Sequence, residues 1–484
     1  MRPALSRTLI LPLAVAAAAW LAGPPSFDAI DGSEFVVASN QLSLCHPPSY
    51  PLFLMLLRLA PGSGYSSARI LCCAVAGVMS WLALSLLRSH GLRPSTAALG
   101  TILLISLRPV LAQLDSVEVH GLAMALVMAA LLFGGGRAGG YLFSLAVFGG
   151  HPLSVLLAPL ARPSFASRLF LMAAIPATLL LYVPLRAGAA TTIHYTHPAA
   201  LEHYLAYMGL YSGRLGAPSP AHLGTALGSL GIVGGAVLSL LALAGRPRPP
   251  EMAAFALGSL ALACYRVPDP DSMVWVPVLP AWLAASRGLE RISAHGRTAR
   301  AAVAAAVLLS ALTGIHAASR RTDSIAARWA GDIQRSTPPE AVLCTVGHDA
   351  FYLAFLGQVS DRRPDLVPVD LYGNCFDLRL GHPLPADLGG RPVIATRAWD
   401  DPGFLPGGLV FSSPPRTPDW QALDIFRFEG RSPDAFAMDM VAEAWMRRAL
   451  QAPPDDRSSF AREARRWAST PTARERMETA LGED

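Results

Sequence analysis

The chain has 484 residues, which by length alone would suit about three soluble domains. Its residues are 52% hydrophobic and only 15% charged, and its mean hydropathy is +0.39, too apolar for soluble cores of ordinary size. A soluble enzyme, a disordered chain and a disulfide-built secreted module are excluded. The formal charge is +5, carried by 39 basic residues that are all Arg. These lie dispersed at loop ends and in the C-terminal tail rather than in a patch, which argues against nucleic acid as a partner.

The N-terminus, MRPALSR followed by TLILPLAVAAAAWLAG, reads as a retained signal anchor, with a cleaved signal peptide as the alternative. Further apolar runs follow at roughly 67–87, 96–114, 121–133, 141–149, 152–161, 168–184, 223–244, 251–264, 274–286 and 301–316. With the N-terminus inside, every inner loop carries Arg: 88–95, 134–140, 161–168, 245–250 and 287–300. The outer loops carry acids, His and aromatics. This pattern predicts about eleven spans, N-terminus cytoplasmic and C-terminus extracytoplasmic, in a bacterial inner membrane. Ten or twelve are the alternatives. Gly149-Gly150-His151-Pro152 is read as a break between two short helices; a single helix over 141–161 would invert the parity downstream.

The fold class expected is mostly α, polytopic, with a C-terminal soluble α/β domain and helical tail. The divisions fall at 1–319, 320–430 and 431–484. Runs at 341–346, 350–359 and 366–372 read strand–helix–strand, with further strands at 391–397 and 407–413, which suggests a parallel core.

The first outer loop, DGSEF and then HPPSYP a dozen residues on, is the most informative segment. Asp31 and Glu34 share one face if the segment is helical. Asp115, Glu118, His120, His151, Arg186, Asp269 and Asp271 recur at the same membrane face, and ionisable groups there are candidates for function. Carboxylates, imidazoles and an Arg beneath an extramembrane domain suit group transfer from a lipid-linked donor. An Arg fork such as Arg186 suits a phosphate, and a carboxylate suits the base that deprotonates an acceptor hydroxyl. An ion-coupled transporter or flippase is the alternative, and a scaffold without catalysis is a third. No spacing points to a metal, and no cofactor is expected. Cys344 and Cys375 could form a disulfide on the outer side.

DGSEF…LSLCHPPSYPLFLMLLRL resembles the D-S-G-E…H-P-P-G-Y-P-L opening of a polytopic family of GT-C-type glycosyltransferases. That family was long catalogued as a domain of unknown function, and its animal member is a protein O-mannosyltransferase. AQLDSVEVHGLAMAL, GGHPLSVLLAP, LYVPLRA, CYRVPDPDSMVWVPVLPAW and VGHDAFYLAFLGQVSDRRPDLVPVDL are similar to later family blocks, in the family's order, from about residue 25 to 372. The resemblance implies a sugar moved from a polyprenyl-phosphate carrier to a hydroxyl of a protein or envelope glycan, with inversion. It implies Asp31 as general base with Glu34 second, and His46, Tyr50, Glu118, His120, His151, Arg186 and Asp269 around donor or substrate. Asp349 matches an acidic family position. Two positions depart from the pattern: His120 stands where the family has Tyr, and Ser49 where it has Gly.

Overall fold

The structure is a computed structural model that describes residues 2–29, 31–46, 49–62, 64–134, 136–161, 178–186, 191–193, 215–265, 270–359, 363–371, 375–376, 387–397, 405–413, 419–428 and 434–482. The described residues of the first three hundred fold mainly as helices rich in apolar side chains, as expected where lipid replaces water. Among the described residues, Tyr65–Ser89 and Arg297–Ala318 are long and apolar enough to cross a membrane. Pro220–Gly228 and Ile232–Gly245 would make a third span if their 101° bend is one broken crossing. Helices Leu9–Ala22, Pro94–Ser106, His120–Phe133 and Pro249–Cys264 are apolar but shorter. The composition pattern suggested about eleven spans; Pro and Gly interrupt the apolar runs, so few of them form one unbroken helix. The expected run 168–184 falls largely outside the described residues, as does most of the long loop after it.

Small residues let these helices approach closely. A Cβ on Gly245 would strike the carbonyl of Ala284, and one on Gly288 the carbonyl of Leu241, so helices Ile232–Gly245 and Trp275–Ser293 meet backbone to backbone. Outward, Leu308, Leu309 and Leu312 on helix Arg297–Ala318 are each more than half exposed, the face a lipid tail would cover. The break at 149–152 is present: helix Arg137–Leu145 runs into a π turn, Ala146–Gly150. His151 is extended, and a 3-10 helix continues from Pro152 to Leu160.

The C-terminal region is built on a six-stranded sheet. Its strands are β1 (Val342–Thr345), β2 (Val367–Asp370), β3 (Asp387–Leu388), β4 (Arg391–Ala395), β5 (Leu405–Gly407) and β6 (Val410–Ser412). The order is β2-β1-β4-β6-β5, with β3 on β4. β1 is parallel to both β2 and β4, in the registers Leu343↔Pro368 and Leu343↔Ile394, while β6 and β5 are antiparallel. Helix His348–Val359 makes the crossover from β1 to β2. Val342 and Cys344 enter a small core with Val369 and Val393, whereas Leu343 and Ile394 enter the main one. Burial on both faces explains why these strands read as continuous apolar runs rather than alternating ones.

The possible Cys344–Cys375 disulfide is not formed; both thiols are free and buried. Cys344 sits inside β1 between two partner strands, and Cys375 instead bridges to Ile193. Three helices close the chain, Ala435–Gln451, Pro454–Trp467 and Pro471–Leu481. The main core of this region is continuous with the segment 27–57. Phe27 packs on Tyr352 and Phe355, ring centroids 5.5 and 4.8 Å apart, and the Tyr352 hydroxyl donates to the Ala29 carbonyl at 2.5 Å.

Candidate active site

The loop after the first helix folds into a helix, Gly32–Gln41, entered through Asp31 at the cap position. Asp31 makes no side-chain cap hydrogen bond. Asp28 does the capping: its Oδ1 accepts the Gly32 N–H at 3.2 Å, and its Oδ2 accepts the Tyr65 hydroxyl at 2.8 Å. The Asp31 carboxylate, about a quarter exposed, is thereby left to face the site. Two acidic residues in the first turn are tolerated because the unpaired N–H groups there favour negative charge.

His46 joins the two carboxylates. Its backbone N–H donates to Glu34 Oε1 at 2.6 Å and its Nδ1 lies 3.0 Å from Glu34 Oε2. Its Nε2 is 3.6 Å from Asp31 Oδ2. Glu34 is 1% exposed and spends both oxygens on His46, so it orients the imidazole and cannot turn toward an incoming molecule. One ligand atom from each of Asp31, Glu34 and His46 lies within 4.8 Å of the other two, so the trio could also hold a divalent cation. Two carboxylate oxygens and an imidazole form a mixed set that suits zinc or manganese. Spacing along the chain did not reveal this possibility, because His46 reaches the acids only through the turn that begins at Leu42.

That turn is strained. Leu42, Ser49 and Tyr50 all take left-handed backbone, with φ of 50°, 73° and 44°. Ser49 offsets part of the cost by accepting the Cys45 N–H on Oγ at 3.2 Å. Pro47 and Pro48 lie outside the described residues. The turn places the Tyr50 ring edge-on to His46 at 5.3 Å and stacked on His151 at 5.8 Å. His151 in turn sits 4.7 Å from His120, whose Nδ1 accepts the Trp275 indole N–H at 3.1 Å. His151 Nδ1 accepts the Leu153 N–H at 3.2 Å. Both Nδ1 atoms are acceptors, so their neutral rings carry the proton on Nε2. A line of rings thus leads from the trio into the membrane helices.

The other expected residues separate. Glu118 is buried near Cys72. Arg186 lies at the far end of helix Gly32–Gln41, where Nε and Nη2 donate to the carbonyls of Leu42 and Gln41 at 2.6 and 2.9 Å. It fixes the helix C-terminus, a bidentate use of the guanidinium other than the phosphate contact expected of it. Asp269 lies outside the described residues. Asp271 pairs with Arg108 at 3.5 Å. Asp349 accepts the Trp329 indole N–H at 2.8 Å.

Behind the site lies a buried charge cluster that the sequence reading missed. Arg69 donates to the carbonyls of Trp20, Pro24 and Asp115 and lies 4.5 Å over the Trp20 ring. Arg320, where the chain leaves its last membrane helix, is 4.0 Å from Asp28 and is also attracted to Asp115, Asp323 and Asp434. Burial outweighs Arg320 and pushes the Asp434 carboxyl up to about 6; Asp28 is raised for the same reason. Arg69 sits within an apolar run and Arg320 at a boundary, so neither stood out.

A scan against protein-family models finds no match. No curated protein matches by sequence. Among solved structures, the chain resembles ArnT from Cupriavidus metallidurans in its crystal structure bound to undecaprenyl phosphate. The TM-score is 0.51 at 14% identity, over 81% of this chain and 92% of that one. The apo structure of ArnT gives a TM-score of 0.43 at 14% identity, over 75% and 90% of the two chains. The likeness to the undecaprenyl-phosphate complex spans membrane helices and C-terminal region alike, and the chain has a GT-C-like fold.

Proposed function

We propose that this protein is a membrane glycosyltransferase that moves a sugar from a polyprenyl-phosphate carrier to a hydroxyl group. The observation that carries the reading is the trio: an accessible carboxylate, Asp31, beside an imidazole held in place by a buried one, Glu34. The ArnT-like fold, and the undecaprenyl phosphate that ArnT binds in its crystal structure, support the lipid-linked donor. The motif resemblance across residues 25–372 supports transfer to a protein or envelope-glycan hydroxyl.

In this reading Asp31 is the base. It takes the acceptor proton as the acceptor oxygen attacks the anomeric carbon. The bond from that carbon to the phosphate oxygen breaks, and polyprenyl phosphate leaves with the electron pair. One displacement inverts the anomeric centre, through an oxocarbenium-like state that a nearby carboxylate stabilises. Glu34 is a positioning residue. With both its oxygens on His46, it holds the imidazole beside Asp31. Tyr50, His120 and His151 form the wall beside the trio.

The test is sugar transfer by purified protein offered polyprenyl-phosphate mannose, glucose and arabinose with mixed envelope acceptors. Transfer by wild type that is lost in Asp31→Asn, with folding and donor binding intact, supports the reading. Absence of transfer from all three donors, or full activity in Asp31→Asn, overturns it.

A further inference from the structure

Two imidazoles along the line of rings have hydrogen-bonding capacity that the fold does not use. His120 opens helix His120–Phe133, and His151 follows the π turn Ala146–Gly150. Gly150 lets the two segments close up: a Cβ there would press on Ala123, in the first turn of that helix, at 3.1 Å. The rings end 4.7 Å apart and are 6% and 5% exposed. Each Nδ1 is committed as an acceptor, to the Trp275 indole N–H and to the Leu153 N–H, so each Nε2 is a donor. The two Nε2–H groups have no hydrogen-bond partner among the described residues. Neither nitrogen is sealed in, unlike the orphaned ring nitrogens of His222 and His348. A buried donor without a partner costs free energy until something meets it.

The chemistry of the pair narrows what that is. With both acceptor lone pairs spent inside the fold, the pair can only donate. A sugar hydroxyl or a water carries a proton of its own, for which these rings keep no acceptor, and a metal cation finds no lone pair. An oxygen that only accepts, as on a phosphate, matches both donors. Ring centroids 4.7 Å apart put the two Nε2 atoms at most about 7 Å apart, a gap that two hydrogen bonds of about 2.9 Å to neighbouring oxygens of one phosphate can bridge. Arginine does not supply this contact: Arg69 and Arg186 are spent on carbonyls. Among the described residues, Asp31 and His46 are the other titratable groups that act on the rings, and no arginine does.

We propose that His120 and His151 form a neutral two-donor hole for the phosphate that leaves in glycosyl transfer. The proposal rests on the reading of the trio for the transfer step, and on the imidazoles alone for phosphate binding. As the bond from the anomeric carbon to the phosphate oxygen breaks, its electron pair passes to the phosphate, which goes from one negative charge to two. Asp31 takes the acceptor proton in the same step and loses its charge. Net charge is unchanged, but it moves from the carboxylate to the phosphate. Fixed N–H dipoles at the phosphate therefore stabilise the transition state more than the bound donor. Because the rings are neutral, no ion pair with Asp31 has to be broken first. His120 stands where the resembling family has Tyr, whose hydroxyl also donates a single hydrogen bond.

The experiment measures binding of farnesyl phosphate and of farnesol by calorimetry on the full-length protein in nanodiscs, beside transfer kinetics with the polyprenyl-phosphate donors. His151→Asn keeps an acceptor for the Leu153 N–H and withdraws the ring donor. His120→Phe withdraws the other donor, and His120→Gln keeps both an acceptor for Trp275 and an N–H. The expected result is that His151→Asn and His120→Phe each weaken farnesyl phosphate about tenfold or more, the scale of one hydrogen bond to a charged group, and leave farnesol unchanged. Their kcat falls about a hundredfold, the scale of one oxyanion-hole donor, with donor KM little changed. His120→Gln recovers most of both losses. If His120→Phe fails to fold, His151→Asn carries the test, since it retains the bond that shapes its turn. Equal loss of farnesol and farnesyl phosphate, or undiminished binding of farnesyl phosphate by the folded variants, would overturn the proposal. Failures are distinguishable. Imidazole-dependent binding of farnesyl phosphate without transfer from any donor removes the transferase reading and keeps the site. Transfer that is unaltered in both folded variants keeps the transferase and removes the site.

Discussion

The trio and the imidazole pair stand at two places on one line of rings and are built in opposite ways. Asp31, Glu34 and His46 come from sixteen consecutive residues, and Glu34 and His46 satisfy one another while Asp31 stays open. The imidazole pair takes its rings from positions 120 and 151 and the anchor of one ring from position 275, and it leaves both Nε2–H groups unmet among the described residues. Local geometry is enough to set a proton acceptor against an imidazole. A surface that selects a partner needs walls from many elements.

The sharpest way to break this comparison is Asp31→Asn. Transfer is expected to fall by about a thousandfold, within the range for loss of a general base, with Tm and farnesyl phosphate binding unchanged. An equal loss of binding would merge the two regions into one. Glu34→Gln comes next. The amide keeps an acceptor for the His46 N–H but loses the charge that orients the ring, so transfer should drop roughly ten- to a hundredfold, on the scale of one charged hydrogen bond. The pH–rate profile should shift with it, a change that a purely structural role would not produce.

Asp28→Asn weakens the cap that frees Asp31. A loss of about 1 kcal/mol is expected, read as a lower Tm, with transfer reduced less than tenfold. The last effect is on stability alone and concerns the buried cluster around Arg320. Asp434 keeps its proton in the folded chain up to about pH 6, while the unfolded chain releases it near pH 4. Its contribution to stability is therefore fully present below about pH 4 and is lost as pH rises through 6, by at most about 3 kcal/mol. A Tm scan from pH 4 to pH 7 should fall for wild type and flatten for Asp434→Asn. A flat wild-type scan would remove this group from the argument.

Strand–helix–strand over 342–370 was legible because two-sided burial leaves short, unbroken apolar runs with a helix between them. The acids and His46 were legible because the loop is short and its residue types are unusual at a membrane face. Asp28 was not. It lies in the same loop, but Tyr65, which marks its role, comes 37 residues later. Arg186 was singled out as a cation for phosphate, yet its carbonyl partners depend on where the loop helix ends.

What the sequence determined by itself was the environment and the chemistry at hand: an apolar chain for lipid, and a loop whose carboxylates and imidazole are close enough in sequence to meet. Only the tertiary structure decided which carboxylate caps the helix, which stays open, and which imidazole nitrogens are left to donate. Those outcomes rest on contacts between residues tens to hundreds of positions apart, such as Tyr352 with Ala29 and Arg320 with Asp28. Local pattern carries no information about contacts of that range, because packing between helices and sheet sets them.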